Sequence, residues 1–178
     1  MRFEVFGPYE IRVANIIGKA DLSRLRECLV TDKDLWRLLS GAGCYVFAIK
    51  SSGGKIPRPW YVGRAEYQSV WSEATNSSHL QLYNEILSKF ERGIPVLYFL
   101  PVTTKTGQPK IAKSSSRGLP SVRFLEDWLI SIALKANSKL WNIRGTKLLR
   151  EMYVRGIFNP KSGDTTNSSK SLKSCLKM

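Results

Sequence analysis

Six apolar residues in a row, Cys44 to Ile49, stand between Gly43 and Lys50. A run this short, built from aromatic and β-branched side chains, suits a buried strand better than a helix, whose apolar positions recur every three or four residues. Turn-forming residues follow it: Ser51, Ser52, Gly53, Gly54, Pro57 and Pro59. Trp60 to Val62 then reads as the returning strand of a wide hairpin, with Gly63 expected to end it. Side chains alternate along strands, so an antiparallel hairpin can bring Tyr45 and Tyr61 to one face while Trp60 and Val62 point to the other.

The rest of the chain is read around that hairpin. Leu80, Leu82, Tyr83, Ile86, Leu87 and Phe90 recur at helical spacing and predict a helix over about 79–91, which Gly93 and Pro95 break. Val96 to Val102 is the third strand. Phe124, Leu125, Trp128, Leu129, Ile132 and Ala133 predict a strongly apolar helix from about Ser121 to Lys135, and Lys147 to Tyr153 a short one. Asp21 to Leu39 carries six leucines among charges and fits one or two amphipathic helices. Arg2 to Val13, around Gly7-Pro8, reads as a short strand pair or an extended lead-in. Thr103 to Gly118 is rich in Lys, Ser, Thr and Gly and reads as an exposed mobile loop. From Lys161 onward core-forming residues run out, so a disordered basic tail is expected.

These elements give an α+β fold: a small, mainly antiparallel three-stranded central sheet flanked by helices. The expected organisation is an N-terminal extension over 1–40, a core domain over 41–142, a C-terminal extension over 143–160 and the tail over 161–178.

Charge narrows the partners. The chain has 28 Lys and Arg against 14 Asp and Glu, a formal +14. Such an excess concentrates polyanions and gains from counterion release on nucleic acid, although a solvated face or an anionic membrane also accounts for it. Lys105, Lys110, Lys113 and Arg117 cluster in the polar loop, and Lys139, Arg144 and Lys147 follow the apolar helix; these are the candidate phosphate contacts. No base-reading motif accompanies them. The first twenty residues hold Arg2, Glu4, Glu10, Arg12 and Lys19, unlike a secretory signal, and no apolar run reaches membrane-spanning length, so a cytoplasmic location with no membrane partner is expected. Cys28, Cys44 and Cys175 are odd in number and widely spaced, which suits reduced thiols, and a lone histidine, His79, argues against a histidine-based metal site.

Gly43-Cys44-Tyr45 and Trp60-Tyr61-Val62-Gly63 resemble the two motifs of the GIY-YIG nuclease family. Phe124-Leu125-Glu126-Asp127-Trp128-Leu129-Ile130 and the later Asn142 are similar to that family's metal-binding glutamate and the asparagine that follows it. The likeness covers about 41–142. It implies a metal-dependent endonuclease acting on nucleic acid, DNA foremost. One Mg²⁺ or Mn²⁺ would be held by Glu126 as sole protein ligand, with no small-molecule cofactor. Water activation is implied near Tyr45, with help from Tyr61 and ordering by Asn142. The family's usual arginine on the helix after the second motif has no counterpart, since 65–89 contains no arginine. Arg64 is the nearest substitute.

Each of these residues also has a plainer reading. Tyr45 and Tyr61 can be core aromatics, Glu126 the partner of a lysine or arginine, and Asn142 a helix terminator. Arg64 can be a surface arginine on non-specific phosphate contact. His79, following Asn76, Ser77 and Ser78, is either a base or phosphate ligand near the tyrosines or part of a helix cap.

Overall fold

The computed structural model describes residues 2–13, 16–89, 93–112, 117–143, 146–157 and 163–177. Two compact units result, Met1–Asn142 and Ile143–Met178.

The first unit is organised by β3 (Gly43–Ser51), the centre of an antiparallel sheet between β4 (Arg58–Ala65) and β5 (Gly93–Thr103). Here the apolar run of the sequence is the buried strand it was expected to be, with Cys44, Tyr45, Phe47 and Ile49 buried and Val46 half-buried. The sheet has five strands rather than three. β1 (Arg2–Phe3) and β2 (Phe6–Glu10) both pair with β5 and not with each other. The Gly7-Pro8 signal marks a register shift inside β2, between Phe6 and Tyr9, instead of a hairpin turn. Proline fits there because an edge strand can spare an N–H donor.

α1 (Lys19–Val30) and α2 (Lys33–Leu39) bury the leucine stripe Leu22, Leu25, Leu29, Leu35, Leu38 and Leu39. With α4 (Ser77–Lys89) they contribute to one core, shared with Tyr45, Phe47, Trp60 and Phe99. A second core, around Cys44, Leu100 and Val102, receives Val122 from α5 (Pro120–Ala136). α5 buries Val122, Ile130 and Ala133 but leaves Phe124, Trp128 and Ile132 exposed, so its apolar content is divided between two faces.

Several expectations are corrected. β4 does not stop at Gly63 but runs on through Arg64 to Ala65. Trp60 does not face away from Tyr61's core: Tyr61 pairs with Phe47 and Pro59 with Ala48, so Trp60 is the extra residue of a bulge and joins the same buried cluster. A five-residue helix, α3 (Val70–Ala74), capped by the Ser69 hydroxyl, was too short to leave a periodic signal. The first part of the polar loop, through Ala112, is anchored: Thr103 pairs with Pro109, Ala42 N–H donates to Lys110 O, and Ala112 N–H donates to Glu66 O.

In the second unit, α6 (Thr146–Glu151) matches the short helix expected there. Where a disordered tail was expected, α7 (Asn167–Leu176) forms. Its start is fixed by a reciprocal cap, Ser169 N–H to the Thr166 hydroxyl and Thr166 N–H to the Ser169 hydroxyl, 3.1 and 2.9 Å. Composition reports core-forming capacity and misses this local pairing.

The outer edge of β4 is closed by the segment after α5. Asn137 donates to Pro59 O at 2.7 Å and Trp141 N–H to Trp60 O at 2.8 Å. The Asn142 amide takes Val62 N–H at 2.9 Å and gives its own NH₂ to Val62 O at 2.6 Å. Asn142 therefore fixes the strand that carries Tyr61, and does so from a buried position.

Candidate active site

Register places both tyrosines of the paired motifs on one face of the sheet, because Tyr45 lies opposite Gly63 and Phe47 opposite Tyr61. Gly63 is required by space. A Cβ there would stand inside the Tyr45 ring, so the missing side chain is what lets that ring lie across β4. The two rings are 6.2 Å apart between centroids.

His79 completes this group. Asn76 lies just before α4 and accepts the His79 backbone N–H on Oδ1 at 2.9 Å, which fixes that atom as oxygen. The same oxygen is 3.0 Å from His79 Nδ1, so Nδ1 must carry the proton. Nε2 is left with its lone pair, 2.8 Å from the Tyr45 hydroxyl and 3.4 Å from the Tyr61 hydroxyl. Burial lowers the His79 pKa below its ordinary 6.5, against the opposing field of Glu73, whose Oε1 is 3.8 Å from Nδ1. Burial likewise raises both phenols. At neutral pH the group is therefore a neutral imidazole acceptor facing two protonated phenols. Tyr45 is 0% exposed while Tyr61 is half-buried, so Tyr61 is the phenol closer to solvent.

A single histidine makes this testable by an NMR titration of one imidazole. Its pKa is expected below 6.5, and Glu73→Gln should lower it further by removing the charge that favours the imidazolium. A folded pKa below the unfolded one means that His79's contribution to stability is present above about pH 6.5 and lost as pH falls through the folded value. An imidazole titrating at or above 6.5 in the wild type would contradict the assigned protonation.

Arg64, one residue past Gly63, alternates to the opposite sheet face, where it pairs in register with Cys44. There α5 presents Glu126 one turn after the buried Val122. Arg64 Nη1 bonds Glu126 Oε2, and Arg64 Nε forms an ion pair with Glu66 Oε1 at 3.0 Å. Burial raises the Glu126 pKa, and Arg64 opposes the rise. Burial would raise Glu66 also, but hydrogen bonds from Arg123 and Leu119 N–H and the charges of Arg123 and Arg64 hold it below its ordinary value.

The expected residues thus fall into two groups. Tyr45, Tyr61 and His79 meet directly; Glu126 bonds Arg64 and neither phenol. Two observations join them. Burial first, and then the Glu126 carboxylate, raises Tyr61. In addition, a cavity of about 420 Å³ beyond the end of β4 is lined by Arg64, Glu66 and Glu73, the last a neighbour of His79, while Tyr45, Tyr61, His79 and Glu126 do not line it.

Among the described residues, no set of three or more His, Cys, Asp and Glu side chains is arranged to hold a metal ion. A single-carboxylate site is a different requirement. Mg²⁺ commonly takes one or two carboxylates and completes its shell with water and phosphate oxygens, and Glu126, a largely buried carboxylate with a raised pKa, fits that donor set. Glu66 does not, because both its oxygens already accept hydrogen bonds.

Of the cationic candidates, Lys105, Arg117 and Lys139 are exposed in the first unit, Lys110 is half-buried, and Lys147 is exposed on α6 of the second unit. Lys113 and Arg144 lie outside the described residues. Sequence reasoning missed Glu66, Glu73 and Arg123. Asn76 was noted only as cap context; an asparagine three residues before a histidine at a helix start is the signal that could have linked the two.

Comparison with models of protein families, with curated proteins and with solved structures finds no match to this chain. No helix among the described residues is long and apolar enough to cross a membrane.

Proposed function

We propose that this protein is a metal-dependent endonuclease hydrolysing phosphodiester bonds of nucleic acid, DNA foremost. The observation that carries the reading is the convergence of two phenols on the unprotonated nitrogen of His79, whose neighbour Glu73 lines a cavity together with Arg64. The resemblance of Gly43-Cys44-Tyr45 and Tyr61-Val62-Gly63 to the GIY-YIG motifs supports it, as does the charge of +14.

In this reading Tyr61, the more accessible phenol, takes a proton from the attacking water as its own proton passes to His79 Nε2. Neither phenol acts as a free phenolate, since burial raises both. Tyr45 holds the imidazole in place and can accept from the new Nε2–H. Arg64 offers its guanidinium to the phosphate, and Asn142 keeps β4 in register beneath Tyr61. A Mg²⁺ or Mn²⁺ on Glu126 would neutralise phosphate charge and stabilise the leaving oxygen.

Nicking of supercoiled plasmid with Mg²⁺ or Mn²⁺ tests the proposal. The wild type is expected to nick, and Tyr61→Phe to lose on the order of 10²-fold or more, the usual share of a proton-transfer group. Equal rates for wild type and Tyr61→Phe would remove the proposed relay. A second reading, a module that binds nucleic acid without cutting it, is favoured by the engagement of Arg64 with both Glu126 and Glu66 and by the absence of arginine from 65–89. It predicts a plasmid mobility shift with no metal-dependent nicking.

A further inference from the structure

We infer that Arg64 and Arg123 form a paired-guanidinium clamp for a DNA phosphate, aimed by the buried carboxylate of Glu66. This rests on the nucleic-acid reading above, which already uses Arg64, and adds Arg123 as a second contact.

Glu66 sits just past β4 with its side chain 6% exposed. Its Oε1 accepts from Arg123 Nε at 2.9 Å and forms an ion pair with Arg64 Nε at 3.0 Å. Its Oε2 accepts from Leu119 N–H, one residue before α5. One oxygen shared by two Nε atoms sets the guanidinium groups side by side. Arginines anchored through Nε direct their Nη edges away from the anchor, and these two side chains remain 37% and 43% exposed. Arg64 Nη1 is taken by Glu126, and Arg123 gives Nη2 to Arg117 O and a further hydrogen bond to Tyr67, bonds that use only part of each guanidinium's donor set.

A loop staple needs only one cation to neutralise Glu66. Arg64 also pairs with Glu126, yet both guanidinium groups stay partly exposed and hold N–H donors in the fork geometry that suits phosphate oxygens. The cavity of about 420 Å³ lies against Arg64 and Glu66 and includes Tyr67 in its lining. Tyr67 is 52% exposed and hydrogen-bonds Arg123. An exposed aromatic beside a phosphate-binding pair is the combination that grips a nucleic-acid strand, the ring stacking on a base while the cations hold the backbone.

The test is affinity for a short labelled DNA duplex in metal-free buffer, where nothing can be cut, over a series of salt concentrations. Arg123→Ala is expected to bind roughly tenfold more weakly and to reduce the slope of log K against log salt by about 1, as loss of one phosphate contact should. Arg123→Lys should restore the slope but not the full affinity, because charge returns without the fork. Circular dichroism establishes that each variant is folded. Wild-type affinity and slope in Arg123→Ala would overturn the clamp while leaving the nuclease proposal standing. A wild type that does not bind the duplex would overturn both.

Discussion

Glu126→Ala is expected to lower metal-dependent nicking by about 10²- to 10³-fold, the range seen when one preorganised electrostatic group is removed from a hydrolytic site. The expectation comes from where the residue stands. Glu126 is a largely buried carboxylate on the sheet-facing side of α5, its pKa raised by burial and restrained by Arg64. Such a group is costly to keep ionised unless a cation shares its site. Removing it leaves Arg64 with its second partner, Glu66, and with solvent access, so the fold should survive. The nicking loss should therefore appear without loss of the cooperative thermal transition, and metal-free duplex affinity should not fall. Raising Mg²⁺ should not restore the rate, because Glu66, the other carboxylate paired with Arg64, is already saturated with donors. Nicking by Glu126→Ala at the wild-type rate would remove Glu126 from the chemistry and reduce it to the ion-pair partner of Arg64.

Gly63→Ala is the second large effect expected, and it reaches stability and activity together. The added methyl would occupy the space of the Tyr45 ring. That ring is fully buried and cannot retreat into solvent. Overpacking of a core in this way costs about 1–3 kcal/mol, read as a lower denaturant midpoint at unchanged m-value. Whichever way the ring moves, the 2.8 Å contact from its hydroxyl to His79 Nε2 is broken. Nicking should fall with it, and the His79 titration should shift. The residue has no positive φ, so the penalty belongs to the side chain and not to backbone strain. An alanine variant with wild-type midpoint and wild-type imidazole titration would mean that the ring is not packed against β4 as described.

The same pair of residues explains how much of the site could be read in advance. Strand alternation alone put Tyr45 and Tyr61 on one face, and the register agrees. The bulge at Trp60 lies before Tyr61, so it moved Trp60 into the core without disturbing the parity of the motif that follows. Helical periodicity likewise located α4 and α5, since both carry apolar positions over three or more turns. What escaped was what local pattern does not encode. The pairing of β1 and β2 with β5 joins residues about ninety positions apart. The protonation of His79 depends on one Asn76 oxygen that serves backbone and ring alike. Arg64 and Glu126 were singled out separately, but the side of the sheet on which they meet follows from the continuation of β4 beyond Gly63, where the sequence suggested a stop.

The strap formed by Asn137, Trp141 and Asn142 along β4 has a consequence for how copies of this molecule meet one another. A bare strand border is a template on which a neighbouring chain can hydrogen-bond, the usual route to uncontrolled stacking in small sheets. Here the outward amide and carbonyl of Val62 and the carbonyls of Pro59 and Trp60 are already satisfied from within. The rim beside Tyr61 is thereby withheld from strand-to-strand association, and the approach to the tyrosine–histidine group is kept clear of other copies docking by that route.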